Sequence, residues 1–128
     1  MRFYLIFALS LLTGLSLIAC NGQATDSQTD SLGILLATEP DPPQSGLVDL
    51  TISVTDAHGQ PIDNADLFII ADHTEMRGMT ITETAAAQGD GRYQVTVDFV
   101  HGGNWRVTVQ VNQDGTNLAL ENFDLTLR

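Results

Sequence analysis

The sequence has no lysine, and its only fixed cations are five arginines. Sixteen acids stand against them, for a formal net charge of −11. A surface that acidic repels nucleic-acid phosphates and anionic lipid headgroups, which excludes DNA or RNA as a partner. The acids are scattered rather than run together, so they read first as a solvated surface with a weak general attraction for cations. Those at Asp56, Asp63, Asp90 and Asp114 match no calcium-loop spacing. Cysteine occurs once, at Cys20, so no intrachain disulfide can form and the fold must rest on its core. There is no G-x-S-x-G elbow, no glycine-rich loop opening a helix and no H-E-x-x-H pair. These absences predict a protein that is not an enzyme.

What is present begins with an address. Met1-Arg2 precedes an apolar run from Phe3 to Ile18, with small residues near its end, the pattern of a secretory signal peptide over residues 1–19. The run is too short, and the stretch after Cys20 too polar, for a membrane-spanning helix. Leu17-Ile18-Ala19-Cys20 resembles the bacterial lipobox, in which the cysteine is diacylated on sulfur and becomes the first residue of the mature chain. The alternative is ordinary secretion with an incidental cysteine. The resemblance implies lipidation at Cys20 and stable attachment, since more than one acyl chain is involved. It places the protein outside the cytoplasm, on the cell membrane or the outer membrane. Residues 21–31 hold no apolar side chain larger than alanine and read as a flexible tether. The folded domain is then 32–128.

That domain alternates with period two. Val48, Leu50, Ile52 and Val54 face one way and Asp49, Thr51, Ser53 and Thr55 the other; Tyr93 to Phe99 and Trp105 to Val111 repeat the pattern. Leu32–Thr38 is a further strand, Ala65–Ala71 is the least polar and central one, and Thr80–Thr84 alternates again. Ala85 to Ala87 is ambiguous, Gln88–Gly91 reads as a turn, and Asn112–Gly115 carries a hairpin signal. Leu118 to Leu127 closes the chain with a change of phase that suggests a bulge near Asn122. About seven short strands and no convincing helix predict an all-β fold, an immunoglobulin-like antiparallel β-sandwich.

The segment from Val54 to Ala65 contains a D-x-x-G-x-P turn, Asp56 to Pro61, between two strands. It resembles the opening of the YtkA-like domain of the FixH family. The likeness continues at Met76-Arg77-Gly78-Met79, at Gly91-Arg92-Tyr93 and at Gly103-Asn104-Trp105-Arg106-Val107, spanning Leu47 to Val111. It implies a small extracytoplasmic immunoglobulin-like domain, often membrane-attached, with some members linked to copper supply for respiratory oxidases. The Met-x-Gly-Met element is the part associated with copper. Here Arg77 sits inside it and one histidine, His73, precedes it.

Thioether and imidazole are soft to borderline donors that select Cu(I). Met76 and Met79 lie three apart, close enough to share one ion. If each connection reverses the chain, the loops Glu39–Gly46, His73–Met79 and His101–Asn104 fall at one end and His58 at the other. His73, Met76, Met79 and His101 then form the candidate Cu(I) set. The competing reading is structural: Met79 fills a core gap, Met76 caps the sandwich, and the histidines are loop residues. Trp105 reads as a core anchor whose indole N–H needs a partner. Two functions are compatible with these residues: a membrane-anchored lipoprotein that binds Cu(I) or delivers it to a membrane oxidase, or a non-catalytic interaction module for an envelope protein, without metal.

Overall fold

The computed structural model of the protein describes residues 31–128. Seven strands succeed one another in chain order: β1 (Gly33–Glu39), β2 (Gly46–Thr55), β3 (Asp66–His73), β4 (Thr80–Gly89), β5 (Arg92–Phe99), β6 (Gly103–Gln113) and β7 (Thr116–Leu127). They lie in the order β1-β2-β5-β4-β3-β6-β7, and every neighbouring pair is antiparallel. β1, β2 and β5 make one layer and β3, β6 and β7 the other, the A-B-E-D against C-F-G arrangement of the immunoglobulin-like sandwich.

β4 belongs to both layers. Its first part, Thr80 to Ala85, pairs with β3, and its last part, Ala86 to Gly89, pairs with β5. The polypeptide therefore turns the corner of the sandwich inside one strand. Small side chains suit a corner where two layers converge, and the run Ala85-Ala86-Ala87 sits there, with Ala85 buried.

Alternation delivers the core. Val48, Leu50, Ile52 and Val54 on β2 and Tyr93, Val97 and Phe99 on β5 are fully buried. They face Leu67, Ile69 and Ala71 on β3 and Trp105, Val107, Val109 and Val111 on β6. Each large side chain buried contributes roughly 1.5–3 kcal/mol, so the core can hold the domain without a disulfide. The two-residue hairpins are Asp90-Gly91 and Asp114-Gly115, with φ of 55° and 71° in the first and 51° and 76° in the second. Positive φ at both central residues is the type I′ turn that matches strand twist. At Gly91 a side chain is also sterically barred, because a Cβ would lie 2.6 Å from the Val54 carbonyl oxygen and 2.8 Å from Pro61 Cβ.

The long connection between β2 and β3 is held by side chains. Asp56 Oδ1 accepts from the backbone N–H groups of His58 and Gln60 at 2.8 and 3.0 Å, closing the D-x-x-G-x-P turn. Asp63 Oδ1 accepts from the N–H of Gly91. The Tyr93 hydroxyl donates to the Ile62 carbonyl at 2.6 Å and accepts from the Ala65 N–H at 3.1 Å. Two of the scattered acids thus serve turns by accepting bonds, and Asp90 and Asp114 serve turns by conformation.

Two expectations are corrected. Gln88 is in strand, not turn; β4 runs on to Gly89 because its last residues find a partner in β5. The bulge is not at Asn122: β6 and β7 pair in unbroken register from Gly103↔Leu127 to Val111↔Ala119, and Leu118 is the extra residue before Asn112↔Asn117. Leu120, opposite Gln110, therefore lies on the outer face and is 55 % exposed.

Candidate functional site

Antiparallel reversal at every connection puts the segments 40–45, 74–79 and 100–102 at one end of the sandwich, with the chain terminus after β7. Backbone bonds tie them. Ser45 N–H donates to the Arg128 carbonyl at 3.0 Å, and Arg128 N–H donates to that of Pro43 at 3.3 Å. Thr74 N–H donates to the Asn104 carbonyl at 2.9 Å, and its hydroxyl donates to the same oxygen at 3.1 Å. The Asn104 side chain extends the tie, its amide donating to Glu75 Oε1 at 3.1 Å and its Oδ1 accepting from the Thr126 hydroxyl at 2.9 Å. The shift of β4 between layers leaves this parity intact, because β4 changes partners without reversing. His58 is exposed in the turn at the opposite end.

The four candidate donors meet different fates. His73 is not a loop residue. It is the last residue of β3, continues the inward row Leu67, Ile69, Ala71, and is buried. Both ring nitrogens are engaged: Nε2 lies 2.9 Å from the Gly102 carbonyl oxygen and Nδ1 accepts from the Glu75 N–H at 3.2 Å. One neutral tautomer, protonated on Nε2, satisfies both. The ring stands edge-on to Trp105, centroids 4.9 Å apart at 71°, and Trp105 stands edge-on to Phe99 at 5.1 Å and 74°. His73 is thus the polar lid of an aromatic stack and a clamp between two loops.

Met76 is 43 % exposed in the loop between β3 and β4. Met79 is half-buried, packs against the core, and accepts the His73 N–H on its carbonyl at 3.0 Å. The side chain of His101 is exposed, while its carbonyl accepts the Trp105 indole N–H at 3.0 Å. That bond supplies the partner the indole required. Gly103, the first residue of β6, has φ of 104°, and a Cβ there would lie 3.0 Å from His73 Nε2. The glycine lets the β5–β6 loop close over the imidazole. Beside this end lies a shallow depression of about 260 Å³ lined by Thr74, Asn104, Arg106, Asp124 and Thr126 together with Trp105 and Leu125.

Among the described residues no three His, Cys, Asp or Glu side chains come together to hold a metal. The side chains at the loop end that could hold an ion are the thioethers of Met76 and Met79, the exposed imidazole of His101 and the carboxylates of Asp41 and Glu75, of which the thioethers are the soft donors. Asp72, beside the loop, accepts from the Thr80 hydroxyl. The signal sequence, Cys20 and the tether up to residue 30 lie outside the described residues.

The buried role of His73 was open to the period-two pattern. Counting on from Leu67 by twos places residue 73 inward, and its polar character argued the other way. The paired bonds of the Tyr93 hydroxyl left no such signal.

A family model described as YtkA-like matches residues 26–110. Among solved structures, the crystal structure of the PmoD soluble domain from Methylocystis sp. is similar, with a TM-score of 0.51 at 13 % identity. The likeness covers 77 % of this chain and 92 % of that one, and at such identity it speaks for the fold alone. No curated protein matches the chain significantly.

Proposed function

The chain belongs to the YtkA-like family, and on that premise we propose that it is a non-enzymatic extracytoplasmic lipoprotein, attached through Cys20, that binds Cu(I) at its loop end. The ion is cargo, held or passed on to a membrane oxidase. Met76, Met79 and His101 are the first donors. His73 can join them only by releasing Gly102 or Glu75, so its first task is to hold the two donor-bearing loops together. Arg77 opposes any cation, which favours the singly charged ion over a divalent one.

The observation that supports this reading is the clamp. The bonds from Thr74 to Asn104 and from His73 to Gly102 draw the methionine loop to the His101 loop while Met76 and His101 stay exposed. Thioethers have little affinity for Zn²⁺ or Mg²⁺, so the donor set suits Cu(I). An anaerobic competitive Cu(I) titration, beside Met76→Ala/Met79→Ala, is the test. One-to-one binding that the double variant loses supports the site; no binding above that of an unrelated sandwich domain removes it.

The metal-free reading, an interaction module for an envelope protein, draws on a different observation. Leu35 and Leu47 are 72 % and 70 % exposed on the β1–β2 layer, where Cu(I) chemistry has no use for them.

A further inference from the structure

We infer that the outer edge of β1, which no strand covers among the described residues, is a pairing site for a second copy of this chain, joining two sandwiches into one continuous antiparallel sheet. The argument begins with Val54. Its N–H donates to the Gly91 carbonyl at 2.8 Å and its carbonyl accepts from the Ile62 N–H at 3.0 Å. Both groups therefore point away from β1, and the pair Ile34↔Val54 is of the non-hydrogen-bonded kind. Alternation then gives Leu35, Ala37 and Glu39 to the β2 ladder. Ile34, Leu36 and Thr38 turn their N–H and C=O groups outward, along the open edge.

Edge strands in soluble proteins are normally guarded by charge, proline or a bulge. The other edge, β7, has all but the proline: Glu121 and Asp124 lie on it and Leu118 bulges from it. β1 has none along Leu32 to Thr38, and its only charge is Glu39 at the end. On a chain of net charge −11, an uncharged segment is where a second acidic copy can approach.

Twofold pairing centred on Leu36 fits this strand. Ile34 then faces Thr38 of the second copy and Leu36 faces its counterpart, giving about six backbone hydrogen bonds. Leu35 falls beside Ala37 of the second copy, which covers the most exposed leucine of the domain. The two Glu39 carboxylates land at opposite ends, roughly 20 Å apart at 3.4 Å per residue. An interface of this size belongs to the weak, transient class.

The test is sedimentation velocity of the full chain in density-matched detergent across the micromolar range. The expected result is a monomer–dimer equilibrium that Thr38→Pro abolishes with an unchanged far-UV spectrum, since proline removes an outward N–H and no bond to β2. A wild-type monomer throughout, or a dimer that Thr38→Pro leaves intact, overturns the inference. If Thr38→Pro unfolds, the register decides through two exposed positions. Leu35→Glu and Ala37→Lys each place like charges diagonally across the twofold and should each weaken the homodimer about two- to fivefold. Mixed together they should form a heterodimer, and failure to do so overturns the pairing. Protected Leu36 and Thr38 amides in a monomer would mean that another segment or protein covers the edge, which also overturns it.

Discussion

Replacing His73 with alanine separates a clamp from a ligand. The substitution removes the hydrogen bonds to Gly102 and from Glu75, each worth about 0.5–1.5 kcal/mol. It also removes the edge contact with Trp105, worth about 0.5–1.5 kcal/mol beyond burial, and leaves a void against the indole. The expected loss is about 2–4 kcal/mol. For a domain of this size each kcal/mol lowers the thermal midpoint by about 4–8 °C. His73→Phe keeps a ring against Trp105 but cannot bond either loop, and should lose about 1–3 kcal/mol. Trp105 is the only tryptophan, so its fluorescence reads the contact directly during urea unfolding. Cu(I) affinity should fall only modestly in both variants, through loosened loops. Stability unchanged within about 0.5 kcal/mol, with Cu(I) binding abolished, would refute the clamp and make the imidazole a ligand.

Three further outcomes are expected from the scaffold. Tyr93→Phe deprives the Ile62 carbonyl and the Ala65 N–H of their partner, and should cost about 1–3 kcal/mol with faster exchange of the Ala65 amide. Gly91→Ala meets both a positive φ and the Val54 carbonyl, so it should cost more than the ~1 kcal/mol of conformational strain alone, read by chemical denaturation. The Asp56 carboxyl is held below its ordinary value, first by the Gln60 N–H and then by the His58 N–H. A lowered folded-state pKa adds stability above the unfolded value, near pH 4, and loses it as pH falls through the folded one. Unfolding free energy measured from pH 6 to pH 2 should therefore drop with a shallower slope in Asp56→Asn.

The strands that carry the core were legible because their side chains obey one rule over many residues. Val48 to Val54, Tyr93 to Phe99 and Trp105 to Val111 alternate without exception, and Asp114-Gly115 marks its hairpin by conformational preference alone. The corner of β4 was not legible, since three alanines have weak strand preference and their reason for being there is the convergence of two layers far apart in sequence. Leu118 and Leu120 misled for a related cause. Apolar character put both inward, whereas the bulge at Leu118 leaves Leu120 on the surface. At the loop end, chain reversal was enough to gather the segments bearing Met76, Met79 and His101. It could not distinguish His73, whose burial depends on Trp105 beneath it and on Gly103 making room above.

The dual pairing of β4 has a consequence for how the domain comes apart. In disulfide-linked immunoglobulin domains a covalent bridge keeps the two layers from separating. Here a single strand is stitched by backbone bonds into both, so prying one layer from the other must first rip out the seam. Amides of β2 and β6, on opposite layers, should then share one opening free energy in native-state hydrogen exchange rather than two. The sandwich would behave as one folded cloth, and a cut between Ala85 and Ala86 would let its two panels open separately.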